Sequence, residues 1–299
     1  MQLPPFLQIG SVVRLVSPAG VIDSELVEGA ATCLKNWGMS VQVGKNALLR
    51  NGRFAGNSQQ RLSDLQEALD DTECKAIFCT RGGYGTIQII EKLNWDSFIK
   101  HPKWLIGYSD ITMLHTFLQN KGIASIHGGM AKALAVSLFS EQEHVNVLKS
   151  ILFGSFPTYS CEPSLLNRRG NAVGPLAGGN LSILYSLRGT PYDHIPEKSI
   201  LFIEDIGEQP YVVDRMMRNL KLGGILSHIS GLIVGNFSNY EEDPLFGKTV
   251  SEIVADAVSE YSYPVCFGFP VGHDGRNLPL IGGAEVELDV QNKGVHLKF

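Results

Sequence analysis

The sequence predicts an α/β protein with a mainly parallel sheet in its first half and a smaller β-rich domain, with some helix, in its second half. Short apolar segments alternate with segments of helical spacing through most of the first half, which is typical of right-handed β-α-β units. Residues 284–289 and 294–298 alternate apolar and polar side chains around Asn292-Lys293-Gly294, a pattern that predicts a β-hairpin. We expect an N-terminal α/β domain over residues 1–152, a linker over 153–172 and a C-terminal domain over 173–299.

The first half supplies strands and helices in turn. Strands are expected over residues 12–16, 39–43, 76–79, 104–107 and 123–126, and helices over 24–37, 60–71, 86–93 and from about 110. The carboxyl ends of parallel strands meet at one edge of a sheet, where ligands bind in such folds. The turns that follow four of these strands are therefore candidate site segments; they contain Ser17, Arg81, Ser109 and His127.

Composition excludes several classes of protein. The 299 residues are 44% hydrophobic and 18% charged, with a net charge of −5, so the chain is globular and lacks the basic surface of a nucleic-acid binder. Five scattered cysteines indicate reduced thiols. Cys-x-x-Cys and His-Glu-x-x-His motifs are absent, which argues against a structural or protease-type metal site. We expect no cofactor. The chain shows no signal-peptide pattern and no apolar run of about 18 residues, so we expect a cytoplasmic protein without membrane contact.

Ser109 stands at the end of the apolar segment Trp104-Leu105-Ile106-Gly107 and just before a helical pattern. A strand-to-helix junction of this kind is where a nucleophile elbow exposes its hydroxyl and leaves the following N–H free. The usual elbow is G-x-S-x-G, and Ile111 replaces the second glycine here. The alternative is that Ser109 only caps the helix, since serine is favoured at that position.

A glycine-rich turn, Gly82-Gly83-Tyr84-Gly85, follows the third predicted strand. It fits neither a dinucleotide fingerprint nor a phosphate loop, because Gln88 occupies the position of the last glycine and no Gly-Lys-Ser/Thr follows. Glycines let backbone N–H groups approach a ligand closely, as an oxyanion hole requires. A tight turn with positive φ angles would also explain them.

The second half provides candidate acids and bases. Glu204 follows the apolar strand 199–203, where a carboxylate is costly unless paired, although Asp205 or Glu208 is an equal candidate for the exposed acid. Among the eight histidines, His127 and His273 lie in glycine-bordered loops where a base can face a crevice. A single loop histidine is more often a surface residue than a catalytic one.

Six separated blocks occur in the order found in one enzyme family, and together they span nearly the whole chain. They are Val16-Ser17-Pro18-Ala19-Gly20, Arg81-Gly82-Gly83-Tyr84-Gly85, Ile106-Gly107-Tyr108-Ser109-Asp110, Gly178-Gly179-Asn180-Leu181, Leu201-Phe202-Ile203-Glu204-Asp205 and Gly272-His273. Each block alone is weakly specific. Together they resemble the LD-carboxypeptidase family of serine peptidases, also called the muramoyltetrapeptide carboxypeptidase family.

The resemblance implies a Rossmann-like N-terminal domain, a β-rich C-terminal domain and an active site in the cleft between them. Carried over by position, Ser109 is the nucleophile, Glu204 the acid and His273 the base. The N–H groups of Gly83 and Asp110 match the family's oxyanion hole, with Gly82 an alternative to Gly83. Imidazole can take the serine proton and return it to the leaving amine, while the carboxylate fixes the tautomer.

The resemblance further implies a metal-free cytoplasmic homodimer that removes the terminal D-alanine from murein tetrapeptides during cell-wall recycling. Arg81 adjoins the proposed oxyanion loop, and we hypothesise that it binds the terminal carboxylate of the substrate. One alternative within the family is a microcin-immunity peptidase that cleaves a peptidyl or aminoacyl nucleotide conjugate. The other is a non-catalytic small-molecule binding protein. The sequence leaves open the third residue of the peptide, the dimer geometry and whether the domains close on substrate.

Overall fold

A computed structural model describes all residues from Met1 to Phe299. The chain divides into two compact units. Unit 1 comprises residues 1–156 together with 278–281, and unit 2 comprises residues 157–277 and 282–299. The short segment 278–281 therefore returns to the first unit after most of the second has been built.

Unit 1 is an α/β layer structure around a six-stranded sheet of order β11-β5-β4-β3-β1-β2. The five strands before residue 128 pair in parallel with their neighbours in the sheet, as the alternation of strands and helices predicts. The strands are β1 (Val12–Val16), β2 (Ser40–Val43), β3 (Cys74–Cys79), β4 (Trp104–Gly107), β5 (Ser125–His127) and β11 (Leu280–Gly282). The helices are α1 (Ser24–Asn36), α2 (Ser58–Asp70), α3 (Asp96–Lys100), α4 (Thr112–Asn120), α5 (Ala131–Val136) and α6 (Glu143–Leu152).

The central strands of unit 1 are buried on both faces. Every residue of β4 is buried, and Trp104, Leu105 and Ile106 have no exposed surface. Such strands read as continuous apolar runs because helices cover both sides of a parallel sheet. Strand β4 is therefore held on both faces, and the residues after Gly107 lie at the carboxyl edge of the sheet.

The predicted helix over residues 86–93 is wrong. This segment forms two short 3₁₀ turns, Thr86–Gln88 and Ile90–Lys92. Threonine and isoleucine are stiff at χ1 and favour helices weakly, and the segment contains four of them. The N–H of Thr86 also donates to the Asp110 carboxylate at 2.9 Å, which holds the start of the segment to another part of the chain.

Unit 2 contains a mixed seven-stranded sheet of order β10-β9-β8-β7-β12-β13-β6. Strands β7 to β10 run parallel, whereas β12, β13 and β6 are antiparallel to their neighbours. The strands are β6 (Thr158–Cys161), β7 (Gly170–Asn180), β8 (Ile200–Ile206), β9 (Gly231–Ser238), β10 (Val265–Phe267), β12 (Glu285–Gln291) and β13 (Gly294–Lys298). The helices are α7 (Leu181–Ser186), α8 (Pro210–Leu222), α9 (Ile225–His228) and α10 (Val250–Ala257).

Unit 2 contains the predicted hairpin, but the predicted linker and the end of β8 differ from expectation. The β12–β13 hairpin is present, with Gln291 opposite Gly294 at its tip. The segment expected to be a linker contains β6, which pairs with β13 through Cys161 and Val295; four residues are too few to show a periodic pattern. Strand β8 continues to Ile206, so Glu204 and Asp205 lie within the strand instead of beyond it.

The core of unit 2 lies between the parallel strands and their helices. Leu201, Ile203 and Val234 of the sheet pack with Val213 of α8 and Val254 of α10, and all five are buried. Strand β8 lies between β7 and β9 in the sheet, so Glu204 and Asp205 are attached to a strand that is paired on both sides. Over the whole chain, every helix falls short of the length and apolarity that crossing a membrane requires.

Candidate active site

Ser109 adopts a left-handed backbone conformation with φ of 64°, directly after β4. Only two other non-glycine residues of the chain, Lys198 and Asn239, have positive φ. A residue in this region is strained, by about 1–3 kcal/mol, and such strain is typical of nucleophile elbows. The N-cap residue is Tyr108 for the 3₁₀ turn Ser109–Ile111 and Ile111 for α4, so the alternative that Ser109 is the helix N-cap is wrong.

His115 supports the strand that ends at the elbow. Its Nε2 lies 2.9 Å from the carbonyl oxygen of Gly107, and its Nδ1 lies 2.8 Å from Oγ of Ser125. Because a carbonyl oxygen can only accept, Nε2 carries the proton and Nδ1 accepts from the serine hydroxyl. Complete burial lowers the pKa of His115 to about 4, so the ring is neutral near pH 7.

We expect His115 to make unit 1 sensitive to acid. Its pKa is lower in the folded state than the usual value of about 6.5, so its contribution to stability is complete above pH 6.5 and is lost as the pH falls towards 4. At pH 5 the loss is about 2 kcal/mol. The free energy of unfolding from urea titrations, followed by tryptophan fluorescence, measures it, since Trp37, Trp95 and Trp104 all belong to unit 1.

The control for this effect is His115→Gln, whose side chain does not titrate. Its free energy of unfolding should fall about 2 kcal/mol less than that of the wild type between pH 7 and pH 5. His296→Gln, which replaces an exposed histidine of β13, should behave as the wild type does. Equal acid sensitivity of the wild type and His115→Gln would contradict the prediction.

The glycine turn after β3 lies against the elbow. A Cβ atom on Gly82 would come within 2.9 Å of Cβ and 3.2 Å of Oγ of Ser109, so only glycine allows this approach. Gly83 and Gly85 have φ angles of 105° and 143°, which favour glycine. The backbone N–H groups of Gly82 and Gly83 donate to no carbonyl of the chain. The turn thus brings two unused donors close to the Ser109 hydroxyl.

Two other predicted residues lie near the same edge of the sheet. Arg81 is exposed, and its Nη1 donates to the carbonyl oxygen of Val21 at 2.7 Å, which draws its guanidinium to the turn after β1. His127 ends β5 and is only 2% exposed. Its ring lies 5.6 Å from that of Tyr108. This burial makes His127 a packed residue of the sheet edge, in contrast to the loop base that the sequence suggested as one possibility.

In unit 2, Glu204 and His273 form a hydrogen-bonded pair. Nδ1 of His273 lies 2.7 Å from Oε2 of Glu204, and the two side chains are 12% and 0% exposed. A carboxylate only accepts, so Nδ1 is the protonated nitrogen and the lone pair is on Nε2. This tautomer is the one in which a histidine acts as a general base.

Two glycines lie beside Glu204. Ideal Cβ atoms on Gly235 and Gly272 would lie 3.3 and 3.4 Å from Cβ of Glu204. The pairing of β8 with β9 also shifts register between Ile203 and Asp205, and such bulges change the direction of a side chain. The carboxylate is therefore aimed by the backbone of two strands and the loop that contains His273.

Of the two neighbouring acids, Glu204 pairs with His273 and Asp205 is bonded to other groups. Its carboxylate accepts hydrogen bonds from Nδ2 of Asn180 at 2.8 Å, the N–H of Ser182 at 2.8 Å and the N–H of Ile206 at 2.9 Å. Burial raises the pKa of Asp205 to about 6, against the effect of these donors. Glu204 has a single partner, and its Oε1 is buried without a hydrogen bond, so its negative charge is shared with His273 alone.

Comparison with known proteins assigns the chain to a family. Residues 13–128 match the family model of the LD-carboxypeptidase N-terminal domain, and residues 173–288 match that of the C-terminal domain. The chain belongs to the LD-carboxypeptidase family. The resemblance inferred from the six blocks is thereby confirmed, together with the two-domain α/β fold.

This LD-carboxypeptidase is similar in sequence or in fold to the following three proteins. The probable murein peptide carboxypeptidase of Bacillus subtilis (strain 168) is 34% identical, over 97% of this chain and 92% of that protein. The crystal structure of muramoyltetrapeptide carboxypeptidase from Oxalobacter formigenes has a TM-score of 0.87 at 28% identity, over 96% of this chain and 97% of that one. Microcin C7 self immunity protein, in complex with aspartyl sulfamoyl adenosine, has a TM-score of 0.86 at 21% identity, over 100% and 99%, and shares the fold.

Sequence reasoning missed two residues of this LD-carboxypeptidase that support the candidate site. Arg61 is buried near the start of α2, where nothing in the helical pattern distinguishes it from a surface arginine. Asp110 is 1% exposed, and its side chain accepts the N–H of Thr86, whereas the sequence points only to its backbone N–H. For Asp110, a signal was available, because an acidic side chain directly after a buried strand needs a partner.

Proposed function

We propose that this carboxypeptidase removes the terminal D-alanine from murein tetrapeptide by cutting the L,D peptide bond after the diamino acid. The hydrogen-bonded Glu204–His273 pair is the observation that carries the proposal, because it supplies an oriented base to a family enzyme whose other unit presents a strained serine. The names of the Bacillus subtilis and Oxalobacter formigenes proteins support murein peptides as the substrate class.

The proposed mechanism is acyl transfer through a serine ester. His273 takes the proton of the Ser109 hydroxyl through Nε2, and Oγ attacks the carbonyl carbon of the diamino acid. The N–H groups of Gly83 and Asp110 stabilise the resulting oxyanion, with Gly82 as the alternative to Gly83. The protonated imidazole, held by Glu204, gives its proton to the departing D-alanine, and a water molecule then releases the tripeptide.

Mass spectrometry of a defined reaction tests the proposal. The pure protein is incubated with L-Ala–γ-D-Glu–meso-diaminopimelate–D-Ala, with the lysine-type peptide and with aspartyl sulfamoyl adenosine. We expect tripeptide and free D-alanine from one or both peptides, which also identifies the preferred third residue. Cleavage of the nucleoside conjugate alone would favour the immunity-type activity, and no cleavage of any of the three by folded protein would overturn the proposal.

We propose further that Arg81 binds the terminal carboxylate of the peptide. Its side chain is exposed beside the glycine turn, and Nη1 donates to the carbonyl oxygen of Val21. A guanidinium can bind a carboxylate through two N–H groups. Arg81→Lys loses the bidentate contact, so we expect the KM for tetrapeptide to rise about tenfold and kcat to change less. Arg50→Lys, at an exposed arginine paired with Asp23, is the control, and an unchanged KM in Arg81→Lys would exclude this role.

We propose a cytoplasmic homodimer as the working form. The support is the family resemblance and the five cysteines, all of which are free thiols. Cell fractionation and light scattering of the pure protein test the two parts separately. Recovery from the periplasm or a monomeric mass at micromolar concentration would contradict them.

A further inference from the structure

Two buried charged side chains hold the glycine turn after β3. The Asp110 carboxylate, 1% exposed, accepts the N–H of Thr86 at 2.9 Å. Arg61, 2% exposed, donates Nη1 to the carbonyl oxygens of Pro18 and Gly85, each at 2.8 Å. The turn is thus tied at adjacent residues, by Arg61 at Gly85 and by Asp110 at Thr86.

The fit of Arg61 depends on Gly85. A Cβ atom on Gly85 would lie 2.5 Å from Nη1 of Arg61, so a side chain there would expel the guanidinium. Nη2 of Arg61 donates to Oε1 of Gln88 at 2.6 Å, and the guanidinium carbon lies 5.0 Å from the centre of the Phe54 ring. Arg61 therefore connects α2 to the turn and to the residues on either side of it.

Stability alone is a weak reason for these two charges to be buried. Transfer of a charged group from water to a protein interior costs several kcal/mol. Replacement of a buried ion pair by well-packed apolar residues is often neutral or stabilising. Burial lowers the pKa of Arg61 and raises that of Asp110, and the attraction between the two charges opposes both changes. Oδ1 of Asp110 is buried and accepts no hydrogen bond, so the carboxylate is not fully satisfied by the contacts it makes.

We propose that Asp110 and Arg61 are positioning residues that fix the distance between the two N–H donors of the oxyanion hole. The inference rests on the proposed function, in which those donors are the N–H groups of Asp110 and Gly83. Asp110 contributes one donor through its backbone, and its side chain holds the turn three residues beyond the other donor. Arg61 holds the same turn through Gly85.

The proposal predicts an effect on the chemical step more than on binding. Oxyanion donors act on a charge that develops in the transition state, and each is worth about 100- to 1,000-fold in kcat. A displacement of about 1 Å costs about 100-fold. Loosening the turn should therefore lower kcat and leave KM nearly unchanged.

The experiment compares Asp110→Asn, Asp110→Ala and Arg61→Lys with the wild type. Asparagine keeps one oxygen that can accept from Thr86, so we expect kcat to fall about 10-fold in Asp110→Asn and about 100-fold in Asp110→Ala, with KM within about threefold. We expect about a 10-fold loss in Arg61→Lys, because a lysine has one nitrogen in place of Nη1 and Nη2 and cannot also donate to Gln88.

Asp64→Asn is the matched control. Asp64 lies on α2 as Arg61 does, is 4% exposed and accepts the N–H of Asn46 at 2.8 Å, but it holds the turn after β2. It should lose stability as Asp110→Asn does and keep the kcat of the wild type. An equal loss of kcat in Asp64→Asn, in step with its loss of stability, would show that Asp110 and Arg61 are structural residues only.

Two further readouts separate this inference from the proposed function. The rate at which a fluorophosphonate labels Ser109 depends on the oxyanion donors without requiring the natural substrate, and it should fall in the same order as kcat. Amide hydrogen exchange should be faster over residues 80–88 in the Asp110 and Arg61 variants and unchanged there in Asp64→Asn. Wild-type protein that is labelled but cleaves no peptide would contradict the substrate alone, whereas wild-type labelling and exchange rates in the variants would overturn the positioning role.

Discussion

Replacement of Ser109 by alanine should reduce kcat for tetrapeptide cleavage by about 10⁵- to 10⁶-fold, the largest effect that we expect from any single substitution. Without Oγ no acyl-enzyme forms, and His273 has no serine hydroxyl to activate. The remaining activity would come from substrate binding and the oxyanion donors acting on water. Release of D-alanine under single-turnover conditions measures it.

Two controls make the Ser109 result specific. Ser150→Ala removes a hydroxyl that donates to the carbonyl of Asn146 on the surface of α6, and it should retain wild-type kcat. Ser109→Gly should be as inactive as Ser109→Ala, although glycine accepts a φ of 64° without strain. Activity above about 1% of wild type in either Ser109 variant would remove Ser109 from the role of nucleophile, since loss of a nucleophile costs far more.

Replacement of Glu204 by glutamine should lower kcat by about 10⁴-fold while the fold is kept. The amide has nearly the shape of the carboxylate, but its NH₂ group can donate to Nδ1 of His273 and so stabilise the tautomer in which Nε2 carries the proton. In that tautomer His273 cannot accept the serine proton. The amide also places no negative charge beside the imidazolium ion. Steady-state kinetics and the fluorophosphonate labelling rate both report the loss.

Asp205→Asn is the matched control, because it alters the adjacent buried carboxylate. Asparagine has an NH₂ group in place of one oxygen of the carboxylate that accepts from Asn180, Ser182 and Ile206, so we expect the free energy of unfolding to fall by about 1–3 kcal/mol. Glu204→Gln should cost less stability, since Glu204 has one hydrogen-bond partner and a buried oxygen without any. We expect kcat to fall far less in Asp205→Asn than in Glu204→Gln, and the reverse order would exchange the roles of the two acids.

The sequence by itself determined the elements whose signal is local. The apolar run Trp104–Gly107 is a buried strand, α1 ends just before Gly38, whose φ is 86°, and the alternation near the C-terminus forms the β12–β13 hairpin. Each follows from periodicity or from the conformational freedom of glycine, both of which act over a few residues. The order of the six blocks was enough to identify the family.

Only the tertiary structure decided which side chains meet and how the backbone presents them. The choice between Glu204 and Asp205 depends on a register shift in β8 and on partners tens of residues away in the chain, namely His273 for one and Asn180 for the other. The 3₁₀ turn that begins at Thr86 likewise depends on a distant residue, since the Asp110 carboxylate accepts the N–H of Thr86 across 24 positions. A local pattern shows which side of an element is buried, but hydrogen bonds and charge burial depend on groups that only the fold brings together.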